Sequence, residues 1–231
     1  MFFDPTYLLF ILPGMLLSLW ASFRVKRAFN KYSQVPSMRG LTGAAAAAEM
    51  LRRAGVEGVG IEPAQGLLSD HYNPLTKTLN LSEGVYGSDS IAAIGVACHE
   101  AGHAIQHARQ YRPLWLRSLL VPTANIGSSI GYIVMVLGLM LSSTNMVLAG
   151  AVLFSAVLLF QIVTLPVEFD ASARAKQLVL DYGIISTHER EGVDRVLNAA
   201  ALTYVAAAVS TLLTLLYFLM RAGLLGGRRD D

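Results

Sequence analysis

Three long stretches without a charged residue constrain this chain more than any other feature. Residues 5–23, 118–167 and 196–220 contain no Asp, Glu, Lys or Arg. A helix needs about 20 apolar residues to cross roughly 30 Å of hydrocarbon, so the middle stretch has room for two crossings. Its polar cluster, Ser142 to Asn145, lies near the midpoint and is typical of the turn of a helical hairpin. The pattern therefore predicts four membrane helices.

The composition supports a membrane protein over a soluble one. Only 15% of residues are charged and 54% are hydrophobic, against about 25% charged in globular domains. The apolar stretches make the lipid bilayer the expected partner. A formal net charge of only +2 is too small for a protein that coats a polyanion, so we expect no nucleic acid as a partner. The alternative is a cleaved signal peptide followed by buried core helices. It is disfavoured because Asp4 precedes the first apolar run, whereas Arg24 and Lys26 follow it.

The charge pattern divides the chain into six segments. They are a first membrane helix (1–23), a polar domain (24–117), a membrane hairpin of two spans (118–167), a second polar segment (168–195), a fourth membrane helix (196–220) and a tail (221–231). Basic residues cluster just after the first helix, which by the positive-inside rule puts the polar domain in the cytoplasm, although the tail's arginines then face outward. We expect a multi-pass protein of the cell membrane.

Local patterns within the polar domain predict a small α+β unit in a mainly α protein. Residues 42–55 (TGAAAAAEMLRRAG) favour a helix that ends at a glycine. Residues 72–74 (YNP) are typical of a turn, and the alternation in 75–81 (LTKTLNL) predicts an exposed strand. Ser88, Asp89 and Ser90 offer N-cap oxygens to a helix over 91–110.

The last of these helices carries the motif H-E-x-x-H. His99 and His103 are four residues apart, so on a helix both imidazoles reach one zinc ion, and Glu100 lies beside them. Zinc held by three protein ligands keeps a place for water and acidifies it, and Glu100 would act as general base. The motif predicts one zinc ion per chain and a hydrolase.

The third zinc ligand is expected after the hairpin. Glu168 is the first choice, because two membrane spans separate it from His103 and so return it to the same side of the membrane. Asp170 is the alternative. His107 is expected either at the surface or beside the site, without binding the metal, since a ligand one further turn along the helix is too far away. Cys98 points away from His99 and is expected to be buried.

Several stretches resemble one family. They are Thr42-Gly43, residues 68–74 (LSDHYNP), Leu81-Ser82, residues 90–106 (SIAAIGVACHEAGHAIQ) and residues 166–175 (PVEFDASARA). Together they look like the YugP-like neutral zinc metallopeptidases (Zn-peptidase type 2) of bacterial membranes, and the resemblance covers nearly the whole chain. It implies a membrane-embedded zinc peptidase with His99 and His103 as ligands and Glu100 as catalytic base.

A more distant resemblance is to HtpX-like membrane proteases of the gluzincin group. There a glutamate in an E-x-x-x-D segment is the third ligand, and Glu168 matches it, whereas Ser172 stands where those relatives have aspartate. Ser172 retains hydrogen-bonding capacity without the charge. The resemblance also suggests that the strand over 75–81 is an edge strand that pairs with extended substrate, the alternative being a surface hairpin without that role.

The sequence thus predicts a zinc endopeptidase that cleaves membrane or membrane-proximal proteins, with its active site facing the cytoplasm. One alternative is a non-catalytic zinc-binding scaffold, against which the presence of Glu100 argues. The other is an intramembrane protease of the site-2 type, which is disfavoured because Arg109 and Arg112 closely follow the motif. Candidate oxyanion partners are Tyr86, Arg174 and Tyr204.

Overall fold

A computed structural model describes residues 5–66 and 69–225. The predicted roles of Asp4, Leu68 and the tail arginines Arg228 and Arg229 lie outside the described residues. The described elements, in chain order, are α1 (Pro5–Tyr32), α2 (Gly43–Arg53), β1 (Gly60–Ala64), β2 (His71–Asn73), β3 (Thr78–Ser82), α3 (Glu83–Tyr86), α4 (Ile91–Ala108), α5 (Arg112–Ile126), a π-helical turn (Gly127–Gly131), α6 (Tyr132–Met140), α7 (Thr144–Asp181) and α8 (Arg190–Arg221).

Among the residues that the structure describes, four apolar helical stretches are long enough to cross a membrane, as predicted. They are Pro5–Tyr32, Arg112–Met140, Thr144–Asp181 and Arg190–Arg221. The second and third are joined at the expected place, because α6 ends at Met140, Ser142 adopts a φ of 52° and α7 begins at Thr144. Together with one small sheet, these helices confirm the predicted fold class.

The chain divides into two compact units, which are described separately. The apolar unit comprises Met1–Trp20, Leu116–Leu165 and Thr203–Asp231, and the polar unit comprises Ala21–Trp115 and Pro166–Leu202. The six predicted segment boundaries remain a prediction.

Small residues let the helices of the apolar unit approach closely. A Cβ added to Gly131 would lie 2.7 Å from the backbone nitrogen of Phe154, and one added to Gly150 would lie 2.6 Å from that of Met135. Close backbone approach through glycine is a common way for helices to pack where no hydrophobic effect drives them together. Met135, Phe154 and Tyr217 are buried in the core of this unit.

Side-chain caps fix the starts of the two predicted helices in the polar unit. The Thr42 hydroxyl accepts a hydrogen bond from the Ala45 N–H at 3.2 Å at the start of α2, and the Ser90 hydroxyl accepts one from the Ala93 N–H at 3.2 Å at the start of α4. Each cap satisfies a backbone donor that the helix leaves open. Both helices therefore begin where the sequence predicted.

The sheet of the polar unit corrects the predicted exposed strand over 75–81. The strand runs over Thr78–Ser82 and is central, in the order β1-β3-β2, with β1 parallel and β2 antiparallel to it. Leu75 lies in the preceding turn, where its N–H donates to Asn73 Oδ1 at 3.0 Å. β1 escaped prediction because GIEPA lacks apolar alternation, and β2 because residues 72–74 have turn chemistry. Both β1 and β2 are edge strands, and β2 contacts α4, through the Tyr72 N–H and Glu100.

Helix α4 lies in the core of the polar unit. Its fully buried residues include Ile94, Ala97, Cys98, Ala101 and Ile105. Helix α7 continues beyond residue 167, the last residue of the charge-free stretch, to Asp181. Its part within the polar unit packs against α4 so closely that a Cβ added to Gly102 would lie 2.8 Å from the Ala171 carbonyl oxygen. Two helices therefore meet at the motif, and their facing residues form the candidate site.

Candidate metal centre

The two histidines of the motif lie on one face of α4. Their ring centroids are 4.8 Å apart, with the rings nearly perpendicular. The side chain of His99 is 12% exposed and that of His103 is 8% exposed. The i, i+4 spacing brings both rings to the same side of the helix, as predicted.

Glu168 on α7 completes the cluster. Its Oε2 lies 3.2 Å from His99 Nε2 and 3.6 Å from His103 Nε2. The carboxylate is 1% exposed, and one ligand atom from each of the three residues lies within 4.8 Å of the other two. The structure therefore brings together the three residues that the sequence singled out as metal ligands.

The donor set and its spacing fit a zinc ion. Tetrahedral zinc with ligands at about 2.0–2.1 Å separates its ligand atoms by roughly 3.3–3.5 Å, and the two distances to Glu168 lie at this value within 0.3 Å. Burial opposes protonation of His103, but Glu168 and Glu100 outweigh it and raise the pKa of that imidazole. The negative charge that favours a proton there also favours a bound cation.

Asp170, the alternative ligand, has other partners. Its Oδ2 accepts hydrogen bonds from Gln106 Nε2 at 2.7 Å and from Arg174 Nε at 2.6 Å. It does not belong to the group of side chains that could hold a metal ion. Arg174, one of the candidate oxyanion partners, is thus paired with the Asp170 carboxylate.

The second ring nitrogen of each histidine has a hydrogen-bonding partner. His99 Nδ1 lies 3.1 Å from the Ser172 hydroxyl, and His103 Nδ1 lies 3.0 Å from Gln106 Oε1. Such partners orient the rings of metal-binding histidines. Ser172 thus contacts His99 through a hydroxyl, at the sequence position where the more distant relatives have an aspartate.

Glu100 is buried beside the cluster and is held by the sheet. Its Oε2 accepts a hydrogen bond from the Tyr72 backbone N–H at 3.0 Å, and the residue is 9% exposed. The Tyr72 hydroxyl in turn lies 2.8 Å from His107 Nδ1. Burial raises the pKa of the Tyr72 hydroxyl, which therefore stays protonated near neutral pH. His107 is accordingly near the site and outside the metal cluster, as expected.

Two further histidines, Cys98 and Tyr204 do not belong to the cluster. His71 contacts the Ser69 carbonyl oxygen and Asn80, and His188 is exposed in a turn. Cys98 is fully buried, as predicted, and burial raises the pKa of its thiol, which makes it a poor metal ligand. Tyr204 belongs to the apolar unit.

Two residues of the site had not been singled out from the sequence. Gln106, with no exposed surface, contacts His103 and α7, and Tyr72 contributes its backbone to Glu100. A signal for Gln106 was present, because it lies three residues after His103 and so on the same helix face. No comparable signal existed for Tyr72, whose backbone contact depends on where the sheet docks.

The fold and this cluster define a class: helical membrane proteins with a candidate two-histidine, one-glutamate metal centre built from two helices. A family model described as "Putative neutral zinc metallopeptidase" matches residues 7–223. The chain belongs to this family. It is 48% identical over 204 residues to the "Putative membrane protease YugP" of Bacillus subtilis (strain 168), with 88% of this chain and 91% of that protein covered. No solved structure showed significant similarity.

Proposed function

We propose that this protein is a zinc-dependent endopeptidase of the cell membrane that hydrolyses peptide bonds of membrane or membrane-proximal proteins. The observation that carries the proposal is the position of Glu168 Oε2, within 3.6 Å of Nε2 on both His99 and His103. Membership of a zinc metallopeptidase family and the likeness to a membrane protease support it.

In this proposal His99, His103 and Glu168 hold one zinc ion, which is the ligand set of the gluzincin type. Zinc, when bound, supplies Lewis acidity that polarises the scissile carbonyl and lowers the pKa of a water molecule. A set of three protein ligands suits a catalytic rather than a structural site, since structural zinc sites close with four protein ligands. The scaffold alternative is therefore disfavoured.

Glu100 acts as the general base. It takes a proton from the attacking water and then donates it to the leaving amine, so that the carboxylate is regenerated at the end of each turnover. The Tyr72 N–H, bound to Oε2 at 3.0 Å, fixes the orientation of the carboxylate and leaves Oε1 to accept the proton. Burial of Glu100 limits competition from bulk water.

The site faces the cytoplasm in this proposal. The positive-inside rule places the basic segment after the first membrane helix on that side, and two apolar stretches separate His103 from Glu168. Four membrane helices tether the enzyme to the bilayer, so substrates in or beside the same membrane meet it at a raised effective concentration.

Zinc content tests the ligand set. We expect about one zinc per wild-type chain by elemental analysis of detergent-purified protein, and loss of most of it in Glu168→Gln, which keeps the shape and removes the charge. Glu62→Gln, on the exposed side of β1, is the matched control and should retain zinc. Absence of zinc from folded wild-type protein, or full retention by Glu168→Gln, would overturn the proposed site.

Proteolysis tests the role of Glu100. We expect Glu100→Gln to bind zinc as the wild type does and to lose activity against an unfolded or membrane-inserted protein substrate by about 10²–10⁴-fold, the usual contribution of a general base. Because the variant keeps its zinc, a loss of activity separates catalysis from metal binding. Full activity in Glu100→Gln would refute the mechanism.

A further inference from the structure

Among the described residues, Gln106 is the fully buried amide side chain that contacts both α4 and α7, the two helices that carry the cluster. It lies on α4 with no exposed surface. Its Oε1 is 3.0 Å from His103 Nδ1, and its Nε2 is 2.9 Å from the Val167 carbonyl oxygen and 2.7 Å from Asp170 Oδ2. Both donors of this amide and one of the two lone pairs of its oxygen are thus used.

These partners fix which way the amide faces. A backbone carbonyl and a carboxylate only accept hydrogen bonds, so the atom between Val167 and Asp170 must be the NH₂ group with its two donors. The oxygen then faces His103. An amide oxygen only accepts, so His103 Nδ1 must carry a proton.

The proton on Nδ1 has a consequence for the opposite nitrogen. In the neutral ring it leaves the Nε2 lone pair directed to the side where Glu168 Oε2 lies, 3.6 Å away. His99 lacks this constraint, because its partner Ser172 is a hydroxyl that either donates or accepts. Of the two Nδ1 partners, only that of His103 therefore sets the tautomer of its ring.

The same side chain also fixes α7. Val167 and Asp170 flank Glu168 in the sequence, and both accept from the Gln106 NH₂ group. Turning or sliding α7 would break one of these bonds and would move the Glu168 carboxylate with it. A single residue thus controls the ring of one ligand and the helix that carries another.

We propose that Gln106 is a positioning residue for zinc binding: it sets the Nε2-binding tautomer of His103 and holds α7 at the rotation that presents Glu168. It also keeps a neutral amide between His103 and the carboxylate of Asp170, whose charge is paired with Arg174 at 2.6 Å. This inference rests on the proposed zinc site and extends it to a residue outside the ligand set.

Two substitutions separate the functions of the amide. Gln106→Met keeps the volume and removes both the acceptor and the donors. Gln106→Glu keeps an acceptor for His103 but sets a second carboxylate beside Asp170 and the Val167 carbonyl. Asp170→Asn should relieve the repulsion between carboxylates in Gln106→Glu, whereas Gln106→Met has no such repulsion to relieve. A double-mutant cycle therefore tests the contact between residues 106 and 170. Gln177→Met, an exposed glutamine on α7, is the matched control.

The measurement is zinc affinity of the full-length protein in detergent, by competition with a chelator. We expect Gln106→Met to weaken zinc binding by about 10–100-fold, as for other outer partners of metal ligands, and Gln177→Met to stay within about 2-fold. Adding Asp170→Asn should recover at least about 3-fold for Gln106→Glu and less than about 2-fold for Gln106→Met.

A spectroscopic signature distinguishes positioning from general stability. In zinc-loaded, histidine-labelled wild-type protein we expect a slowly exchanging Nδ1 proton resonance from His103, and we expect Gln106→Met to lose it. If the wild type binds zinc and Gln106→Met keeps both the wild-type zinc affinity and the His103 resonance, this inference alone is overturned. If the wild type binds no zinc, the proposed function is overturned. If Gln106→Met does not fold, the cycle with Gln106→Glu decides: no recovery by Asp170→Asn refutes the inference.

Discussion

Replacing Gly102 by alanine should separate the two helices that carry the proposed metal ligands. Gly102 lies between His99 and His103 on α4, and a Cβ there would be 2.8 Å from the Ala171 carbonyl oxygen. Ordinary contacts of a Cβ begin at 3.4 Å, so the two backbones must move apart by 3.4 − 2.8 = 0.6 Å. Ala171 is three residues after Glu168 on the same helix, so the displacement reaches the ligand.

The magnitude follows from two opposing effects on stability and one on metal binding. Alanine is favoured over glycine within a helix by about 1 kcal/mol, whereas overpacking a close contact costs about 1–3 kcal/mol. We therefore expect Gly102→Ala to lower the free energy of unfolding by up to about 2 kcal/mol. Ligand distances in metal sites are set to within about 0.2 Å, so a 0.6 Å displacement should weaken zinc binding by about tenfold or more.

Gly95 provides a matched control on the same helix. A Cβ there would lie 3.6 Å from Val193 Cγ1, which is an ordinary contact. The same substitution at this position adds helix propensity without a clash, so Gly95→Ala should raise the free energy of unfolding by up to about 1 kcal/mol and leave zinc affinity unchanged.

The assay compares both variants with wild type by chemical unfolding of metal-free protein in detergent and by chelator competition for zinc. A Gly102→Ala protein as stable as Gly95→Ala, with wild-type zinc affinity, would show that the close approach of α4 and α7 is unnecessary. The reasoning about how the ligands are held together would then be wrong.

Two further substitutions test the surroundings of the site. Ser172→Ala removes the hydrogen-bonding partner of His99 Nδ1 and should weaken zinc binding by about tenfold or more, measured by chelator competition; unchanged affinity would remove Ser172 from the site. Burial of Glu189 opposes its ionisation, but hydrogen bonds from the Ser186 and Met38 N–H groups outweigh this and lower its pKa. Its contribution to stability is therefore present above the unfolded pKa of about 4.3 and is lost as pH falls through the lower folded pKa. Unfolding experiments should show Glu189→Gln less stable than wild type at pH 7 by about 1–2 kcal/mol, with the difference shrinking in acid; a constant difference would contradict the assignment.

The apolar helices and the cluster of His99, His103 and Glu168 could be predicted because they depend on local patterns and on the number of spans. The length of an uncharged stretch predicts a membrane span without any knowledge of tertiary contacts. The polar composition of Ser142 to Asn145 alone indicates a turn. His99 and His103 share a face through helix geometry. Glu168 followed from counting two spans between it and His103, which requires no knowledge of packing.

The sheet was predicted poorly because its strands are short and are defined by pairing. β1 has five residues, including a glycine and a proline, and β2 has three. Leu79 and Leu81 were expected on an exposed strand, yet both are fully buried, because β1 and β2 flank β3 on either side. Alternation identified the strand but not its neighbours, and only the neighbours decide whether a strand is central.

A stripe on each helix explains why the site lies where it does. On α4 the stripe is His99, Gly102, His103 and Gln106, and on α7 it is Glu168, Ala171, Ser172 and Ala175, both spaced i, i+3, i+4, i+7. Positions with this spacing face one partner, and here polar and small residues share the face. The small residues are required because the Ser172 hydroxyl and the Glu168 carboxylate are short and reach the histidines only when the backbones nearly touch, as they do at Gly102 and Ala171. Two facing stripes of this kind, each combining metal-binding or hydrogen-bonding residues with glycine or alanine, carry more information than either motif alone. They indicate which helix pairs with the H-E-x-x-H helix and in which register.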